Sequence, residues 1–221
     1  DQILDLLKIF GSPDERQKHE QYGPSCCPQS QYIDKHIDFR LTQISDCAVI
    51  STEVSPAGAI NLINFCWGIA IKFLQHGILC RGHITRGRIY HTADQFIGTG
   101  YQAAVAAEQK VSVFQRDPDD KGTPFVEIDP DFCKYLEEFG DPCIKTMFAR
   151  MTGSDGEGVA LFPFKRLEHS FIIAGMGKIF KPDEEREANE NVRKMILKMK
   201  GNVLSFADPS NPKANAQDRA L

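Results

Sequence analysis

One segment of the sequence concentrates residue types that bind phosphate in proteins. Its first eight positions, 81–88, hold three arginines: Arg81, Arg86 and Arg88. Along a single strand, Arg86 and Arg88 would share one face and Arg81 would lie on the other. Arginine binds phosphate through parallel N–H donors and stays charged at physiological pH. The segment then reaches a Gly-Thr-Gly run at the predicted start of a helix, where backbone N–H groups can bind an anion. The segment is therefore a candidate wall of a phosphate site. The alternative is a solvated strand edge followed by an ordinary helix start.

Asp46 is the carboxylate that the sequence places best for binding a metal ion. It follows Ser45 between two runs of alternating or β-branched residues, which predicts a β-hairpin with both residues at its tip. A carboxylate at such a tip stays hydrated and suits Mg²⁺ or Mn²⁺, which use protein carboxylates together with substrate phosphates. The alternative is a turn aspartate that hydrogen-bonds its own backbone. The local pattern leaves both interpretations open.

Other catalytic or metal-binding patterns are not found in the sequence. His83 and His91 lie in predicted strands with no partner at the spacing of a metal site, which favours a structural role for both. No Ser/His/Asp, Walker or Rossmann pattern occurs. The chain has seven cysteines, without a C-x-x-C pair, which indicates reduced thiols and argues against a zinc site.

Composition limits the class of protein. The chain has 221 residues, 42% of them hydrophobic and 25% charged, as in globular domains. Its net charge of −4 argues against general binding to nucleic acids or membranes, which use a basic surplus. No apolar run reaches the roughly 18 residues of a membrane span. We therefore expect a cytoplasmic protein with no nucleic-acid or membrane partner.

The pattern of apolar residues and of Gly, Pro and capping residues divides the chain into helices and strands. In chain order, the predicted elements are a helix in 1–10, a loop over 11–31, strands over 36–44 and 47–52, a helix over 56–76, one or two strands over 77–91, a helix over 98–114, a strand at 125–128, a helix over 129–139, strands at 159–163 and 169–175, and a helix over 181–200.

This order predicts an α+β fold. A strand placed ahead of residue 1 would give the ferredoxin-like split β-α-β-β-α-β core, whose first strand the sequence lacks. The remaining strands and the last helix would be added at the C-terminal end. We expect a single domain over residues 1–201 and an extended tail over 202–221.

Four sequence motifs together resemble the catalytic domain of class III nucleotidyl cyclases. They are QISDCAVIS, the buried helix that follows it, GILCRGHITRGRIYH, and FIGTGYQAAVAAE. The resemblance is closest to the bacterial pyrimidine cyclases of Pycsar antiphage defence and covers about residues 35–110. It implies the split fold described above. It also implies a second-messenger synthase, in which the ribose 3′-oxygen attacks the α-phosphorus of a nucleoside triphosphate and expels pyrophosphate.

The resemblance implies a homodimer with active sites across its interface and two bound Mn²⁺ or Mg²⁺ ions. Asp46 would be the second metal-binding aspartate, while the first is expected on a strand upstream of Asp1. Arg81 and Arg86 are the candidate catalytic cations. The remaining candidates, expected to bind the nucleotide, are Arg40, Thr42, Ser45, Gly98, Thr99 and Gln102.

The chain departs from the purine cyclases at three positions. Those enzymes carry a base-reading lysine where this chain has Thr42, and an asparagine and an arginine where it has Gln102 and Ala106. The departures favour a pyrimidine substrate, with UTP preferred to CTP. The alternatives are a purine cyclase with an altered base pocket and an inactive cyclase-like domain that binds a nucleotide or a partner.

Overall fold

The computed structural model describes residues 37–93, 95–115, 123–167, 182–208 and 210. The helices and strands mix along the chain, so the predicted α+β class is confirmed. The strands are β1 Arg40–Ile44, β2 Cys47–Ser51, β3 Gly82–Ile84, β4 Tyr90–His91, β5 Phe96–Ile97, β6 Val126–Ile128, β7 Thr152–Ser154 and β8 Val159–Leu161. The helices are α1 Pro56–Gln75, α2 Thr99–Glu108, α3 Pro130–Phe139, α4 Pro142–Met151, α5 Pro163–Leu167 and α6 Pro182–Ala207.

Helix α1 begins and ends where its sequence predicts. Ser55 is the N-cap, and its Oγ accepts a hydrogen bond from the Gly58 N–H at 2.9 Å. Proline at the first helical position supplies a backbone angle already suited to a helix. At the other end, Gly77 adopts a φ of 71°, a left-handed conformation that glycine tolerates best.

Two faces of α1 pack against two different parts of the protein. Ile60 and Ile63 are fully buried in a cluster with residues of β3, β6 and β8 and of α3 and α4. Phe65 lies on another side of the helix and packs against Phe39, with ring centroids 5.0 Å apart, beside Leu41 of β1. The helix therefore joins the β1–β2 hairpin to the rest of the sheet structure.

Helix α1 is long and apolar enough to meet the length and composition of a membrane span, whereas no apolar run of that length was expected. However, 72% of its most apolar 18-residue stretch is buried within the protein. That burial is the environment of a core helix in a water-soluble protein.

The described strands form three separate sheets instead of one. Strands β1 and β2 form an antiparallel hairpin, and β4 and β5 form a second. The remaining strands form a sheet in the order β3-β6-β8-β7, in which β3 and β6 are parallel. Among the described residues no strand pairs with the outer edge of β2 or with that of β3.

The predicted hairpin tip is confirmed. Ile44 pairs with Cys47, so Ser45 and Asp46 form a two-residue turn. Ser45 has a φ of 54°, as the first position of such tight turns requires.

The segment after β3 differs from the long strand that its sequence predicts. The chain leaves the sheet after Ile84 and crosses the start of α2, where the backbones of Gly87 and Gly100 touch. A Cβ atom on Gly87 would lie 2.4 Å from the Gly100 Cα. Any larger residue at this crossing would push the two segments apart, which explains why glycines occur here.

Two helix ends also differ from their predictions. Helix α2 ends at Glu108, earlier than expected, whereas α6 continues through Gly201 to Ala207. The extension of α6 is held by Asn202, whose Nδ2 donates to the Leu74 carbonyl oxygen at 2.6 Å. The predicted helix in 1–10, loop over 11–31, strand at 169–175 and most of the tail lie outside the described residues.

The glycine crossing predicts a specific loss of stability. Replacing Gly100 with alanine would place a Cβ atom 2.8 Å from the Gly87 carbonyl carbon. We expect Gly100→Ala to lower the free energy of unfolding by about 2 kcal/mol, a cost typical of overpacking. Urea denaturation followed by circular dichroism measures it.

Gly68→Ala, in α1, is the matched control. Nothing lies within 4 Å of a Cβ atom at Gly68, and alanine favours a helix interior by up to about 1 kcal/mol over glycine. This variant is expected to be as stable as the wild type or more so. Equal stability of the two alanine variants would contradict the steric argument.

Candidate functional site

A cavity of about 570 Å³ lies between strands β2 and β3. Apolar side chains of α1, among them Leu62, Ile69 and Phe73, line its inner part. Exposed polar side chains, including Asp46 and Arg86, lie at its rim. The cavity therefore combines an apolar floor with a charged entrance.

Asp46 lies at the rim because the hairpin turn carries it there. Its carboxylate is exposed and has no hydrogen-bond or ion-pair partner in the part of the chain that the structure describes. The alternative interpretation, a turn aspartate that caps its own backbone, is therefore not supported. The carboxylate is available to a ligand.

Arg81 also lines the cavity, but it has a partner. Its Nε lies 2.6 Å from Oε1 of Glu108, the last residue of α2. Burial, together with the negative charges of Asp46 and Glu108, raises the pKa of the Cys47 thiol above its ordinary value. Glu108 thus lies close both to the start of β2 and to Arg81 beside β3. Asp46, Arg81 and Glu108 all line the cavity.

Arg86 is the third predicted residue at this cavity. Its guanidinium carbon lies 4.4 Å from the centre of the Tyr135 ring. This cation–π contact positions the side chain and leaves its N–H groups able to donate hydrogen bonds to a ligand. Alternation along a single strand had placed Arg81 and Arg86 on opposite faces. Since the chain leaves the strand after Ile84, both arginines line the same cavity, and that prediction was wrong.

Arg40 and Thr42 lie outside this cavity, on the side of the hairpin away from α1. Thr42 Oγ1 is 2.9 Å from His91 Nε2, and Ser51 Oγ is 2.7 Å from His91 Nδ1. Arg40 pairs through Nε with Asp38 at 2.8 Å. These contacts tie β4 to the first hairpin and give His91 the structural role that its sequence context favours.

In the turn before α2, one backbone N–H of the predicted phosphate site already has a partner. The Gly100 N–H donates to the Arg88 carbonyl oxygen at 2.9 Å, so it is not available to an anion. A Cβ atom on Gly98 would lie 2.2 Å from the same oxygen. Glycine at this position therefore lets the two backbone segments pack closely. Neither Gly98 nor Thr99 lines the cavity, and Gln102 and Ser45 are exposed away from it.

The residues at the rim fit one ligand position of a hard cation. Among the residues that the structure describes, no group of three or more His, Cys, Asp or Glu side chains could hold a metal ion. Asp46 fits as a single oxygen ligand, whereas the neighbouring Glu108 carboxylate is bound to Arg81. The described residues thus supply part of the expected site for two Mn²⁺ or Mg²⁺ ions, and not the whole of it.

Sequence reasoning missed Glu108 and Tyr135, which hold the two arginines. Glu108 ends a helix whose sequence carries no other acidic residue, and Tyr135 lies on a short amphipathic helix. Both patterns occur on ordinary surface helices. Only the packing of α2 and α3 beside β3 brings them to the site, so no local signal identifies them.

The cysteines beside the cavity are protonated thiols. Burial raises the pKa of Cys66 to about 12 and that of Cys80 to about 11. Both residues line the apolar part of the cavity and are free of disulfides. Such thiols are poor nucleophiles at neutral pH.

The contacts of His91 predict that stability depends on pH. Burial disfavours the charged ring and nearby Arg40 repels it, so the pKa of His91 in the folded protein lies below its ordinary value of 6.5. The unfolded chain binds the proton more readily, and stability is therefore lost as the pH falls below that value. The midpoint of urea denaturation should drop between about pH 7.5 and about pH 5.5. In His91→Gln the drop should be smaller, and equal drops in both proteins would rule out a contribution from His91.

Comparison with known proteins does not assign the site to a family. No protein-family model matches the chain, no curated protein is significantly similar to it, and no solved structure matches it.

Proposed function

We propose that the chain is the catalytic domain of a metal-dependent pyrimidine nucleotide cyclase. It converts UTP into 3′,5′-cyclic UMP and pyrophosphate, as a cytoplasmic second-messenger synthase in bacterial antiphage defence. The observation that carries the proposal is that Asp46, from the turn after β1, lines one cavity together with Arg81 and Arg86, which lie before and after β3. CTP is the alternative substrate, followed by ATP or GTP.

The reaction needs positioning and charge stabilisation more than it needs a general base. The ribose 3′-hydroxyl loses its proton to solvent as its oxygen forms a bond to the α-phosphorus, the bond from that phosphorus to the bridging oxygen breaks, and pyrophosphate leaves with the electron pair. Negative charge grows on the phosphate oxygens during this step. Guanidinium groups fixed beside those oxygens stabilise that charge.

The two arginines differ in how readily they can do this. Arg86 is oriented by Tyr135 but keeps its donors for a phosphate. Arg81 must first exchange its partner Glu108 for the phosphate. The cost of that exchange is small, because ion pairs near the surface contribute only about 0–1 kcal/mol. Arg86 therefore binds the triphosphate first, and Arg81 joins as charge develops.

Mn²⁺ or Mg²⁺, when bound, would lower the pKa of the attacking hydroxyl and neutralise the leaving phosphates. Asp46 would supply one ligand, because its carboxylate is exposed and has no partner among the described residues. The second carboxylate would come from a strand ahead of β1. That strand would complete a ferredoxin-like split β-α-β-β-α-β core, to which β1, β2, α1 and β3 contribute in the required order.

We also propose that the active protein is a homodimer, without nucleic-acid or membrane partners. Helix α2 has no buried residue, and its neighbours on β4 and β5 are apolar and exposed: Tyr90 is 60% and Ile97 is 68% accessible. Val105 on α2 is exposed as well. Large exposed apolar side chains close together are typical of a protein–protein interface.

One observation favours a second candidate function, an inactive domain that binds a nucleotide or a partner. Glu108 already neutralises Arg81, and the described residues include no group of three or more His, Cys, Asp or Glu side chains that could hold a metal ion. A domain that binds without catalysis would need no second metal ligand. An activity assay distinguishes these two functions.

The test is the formation of a cyclic nucleotide by the full-length protein with Mn²⁺ and each of the four ribonucleoside triphosphates in turn. Mass spectrometry should detect cyclic UMP from UTP. Asp46→Asn should lower the rate at least about a hundredfold, since a lost metal ligand removes several kcal/mol of stabilisation.

Asp183→Asn is the control, because this carboxylate is 94% exposed on α6, away from the cavity. It should leave the rate unchanged. If cyclic CMP, AMP or GMP were the main product, the substrate would be CTP, ATP or GTP instead of UTP. A fully active Asp46→Asn variant would overturn the site, and no product from any nucleotide would favour the inactive domain.

A further inference from the structure

His83 of β3 and His91 of β4 differ in their contacts. Both ring nitrogens of His91 have hydroxyl partners, Thr42 Oγ1 at 2.9 Å and Ser51 Oγ at 2.7 Å. Nδ1 of His83 is buried and has no hydrogen-bond partner among the described residues. Buried polar atoms in proteins nearly always have a partner. The contacts of a structural histidine are therefore found at His91 and not at His83.

His83 lies on the same face of the sheet as Arg81. The next residue, Ile84, is buried with Ile60 of α1, so the side chain of His83 points to the opposite face of the strand. On that face Glu127, which pairs with His83 in register, accepts hydrogen bonds from the chain just after α2. Residues two positions apart in a strand share a face and are roughly 7 Å apart. Arg81 is therefore the neighbour of His83, and both line the cavity.

Two carboxylates lie near His83, and both already accept hydrogen bonds from backbone N–H groups. Glu127 Oε2 accepts from the Ser112 N–H at 3.2 Å, and Asp129 Oδ1 accepts from the Asp131 N–H at 2.8 Å. Burial disfavours the charged form of the His83 ring and outweighs the negative charges of Glu127 and Asp129. The pKa of His83 therefore lies below its ordinary value of 6.5, and the ring is neutral in the free protein at neutral pH.

Other ionisable side chains reach the cavity from the elements around His83. Asp46 and Glu53 lie before and after β2, Arg81 and Arg86 lie before and after β3, Tyr101 and Glu108 lie on α2, and Tyr135 lies on α3. The thiols of Cys47, Cys66 and Cys80 also line the cavity and stay protonated, because burial raises their pKa. His83 is the histidine among the described lining residues, and histidine is the residue type whose charge ordinarily changes near neutral pH. It is therefore the group in this cavity that can gain a proton there.

We propose that His83 and Arg81 together bind one phosphate group of a polyphosphate, and that His83 takes up a proton from solvent as this ligand binds. The inference rests on the proposed function only in so far as a polyphosphate enters this cavity. The charge of the ligand adds to those of Glu127 and Asp129 and favours the charged ring. Protonation makes both ring nitrogens donors, and the phosphate supplies an acceptor that the described residues do not.

Proton uptake makes the binding of the anion depend on pH. The ring of His83 is neutral in the free protein down to a pH below 6.5, whereas beside the bound anion it keeps its proton up to a higher pH. Between these two values the complex holds one more proton than the free protein, so the affinity rises as the pH falls. Mild acid would therefore strengthen the binding of the triphosphate and slow the release of pyrophosphate.

Isothermal titration calorimetry with trimetaphosphate tests the proposal. The negative charges of this cyclic anion do not titrate near neutral pH, and no metal ion is added, so Asp46 takes no part. Titrations at about pH 6 in two buffers of different ionisation enthalpy should show an uptake of about half a proton per anion. The affinity should rise about fivefold from about pH 7.5 to about pH 5.5.

His83→Gln keeps a polar side chain that cannot be protonated, so uptake should vanish and the affinity should hardly change with pH. His91→Gln is the matched control, because His91 lies outside the cavity with both ring nitrogens bonded. It should show the uptake of the wild type. In the wild type, NMR titration of the histidine rings should show the pKa of His83 rising by about one pH unit when trimetaphosphate is bound.

Three results would overturn the proposal: trimetaphosphate that does not bind, binding without proton uptake, or equal uptake by His83→Gln and the wild type. An unchanged pKa of the His83 ring in the bound wild type would overturn it as well, whatever the variants do. None of these measurements depends on catalysis. Proton-linked binding without any cyclic nucleotide product would refute the proposed cyclase and support this inference.

Discussion

The packing of α1 on two sides is the interaction on which the rest of the structure depends. Ile60 and Ile63 are buried against the four-stranded sheet, and Phe65 and its neighbours are buried against the β1–β2 hairpin. The described strands of these two parts do not pair with each other. The helix therefore sets the distance and direction of β2 relative to β3, and with them the cavity and the position of every side chain at its rim.

That constraint explains why an aspartate of the first hairpin lies at the same cavity as two arginines next to β3. The turn after β1 projects Asp46 into solvent, and the chain beyond β3 turns back at the Gly87–Gly100 crossing so that Arg86 reaches the same cavity as Arg81. Glu108 and Tyr135 then orient the arginines from α2 and α3. A charged rim above an apolar floor results from these few contacts, and it suits an anionic ligand that carries a metal ion.

Features set by neighbouring residues were predictable from the sequence. The Ser55 cap, the proline that follows it and the glycine after α1 fix that helix locally, and the two-residue turn at Ser45 and Asp46 fixes the hairpin. Features set by tertiary packing were not predictable. The glycines before α2 have the composition of an anion site, but the crossing backbone of Arg88 uses the Gly100 amide. The alternation that separated Arg81 from Arg86 failed because the strand ends early.

We propose above all that the rim of the cavity binds a metal–triphosphate complex. The most direct measurement is a crystal structure of the full-length protein with Mn²⁺ and a UTP analogue that cannot be cyclised. We expect the triphosphate within hydrogen-bond distance of Arg86 and the metal ion bound by Asp46. A triphosphate bound at the start of α2, or on the other face of the hairpin beside Arg40 with Asp46 left free, would contradict the account.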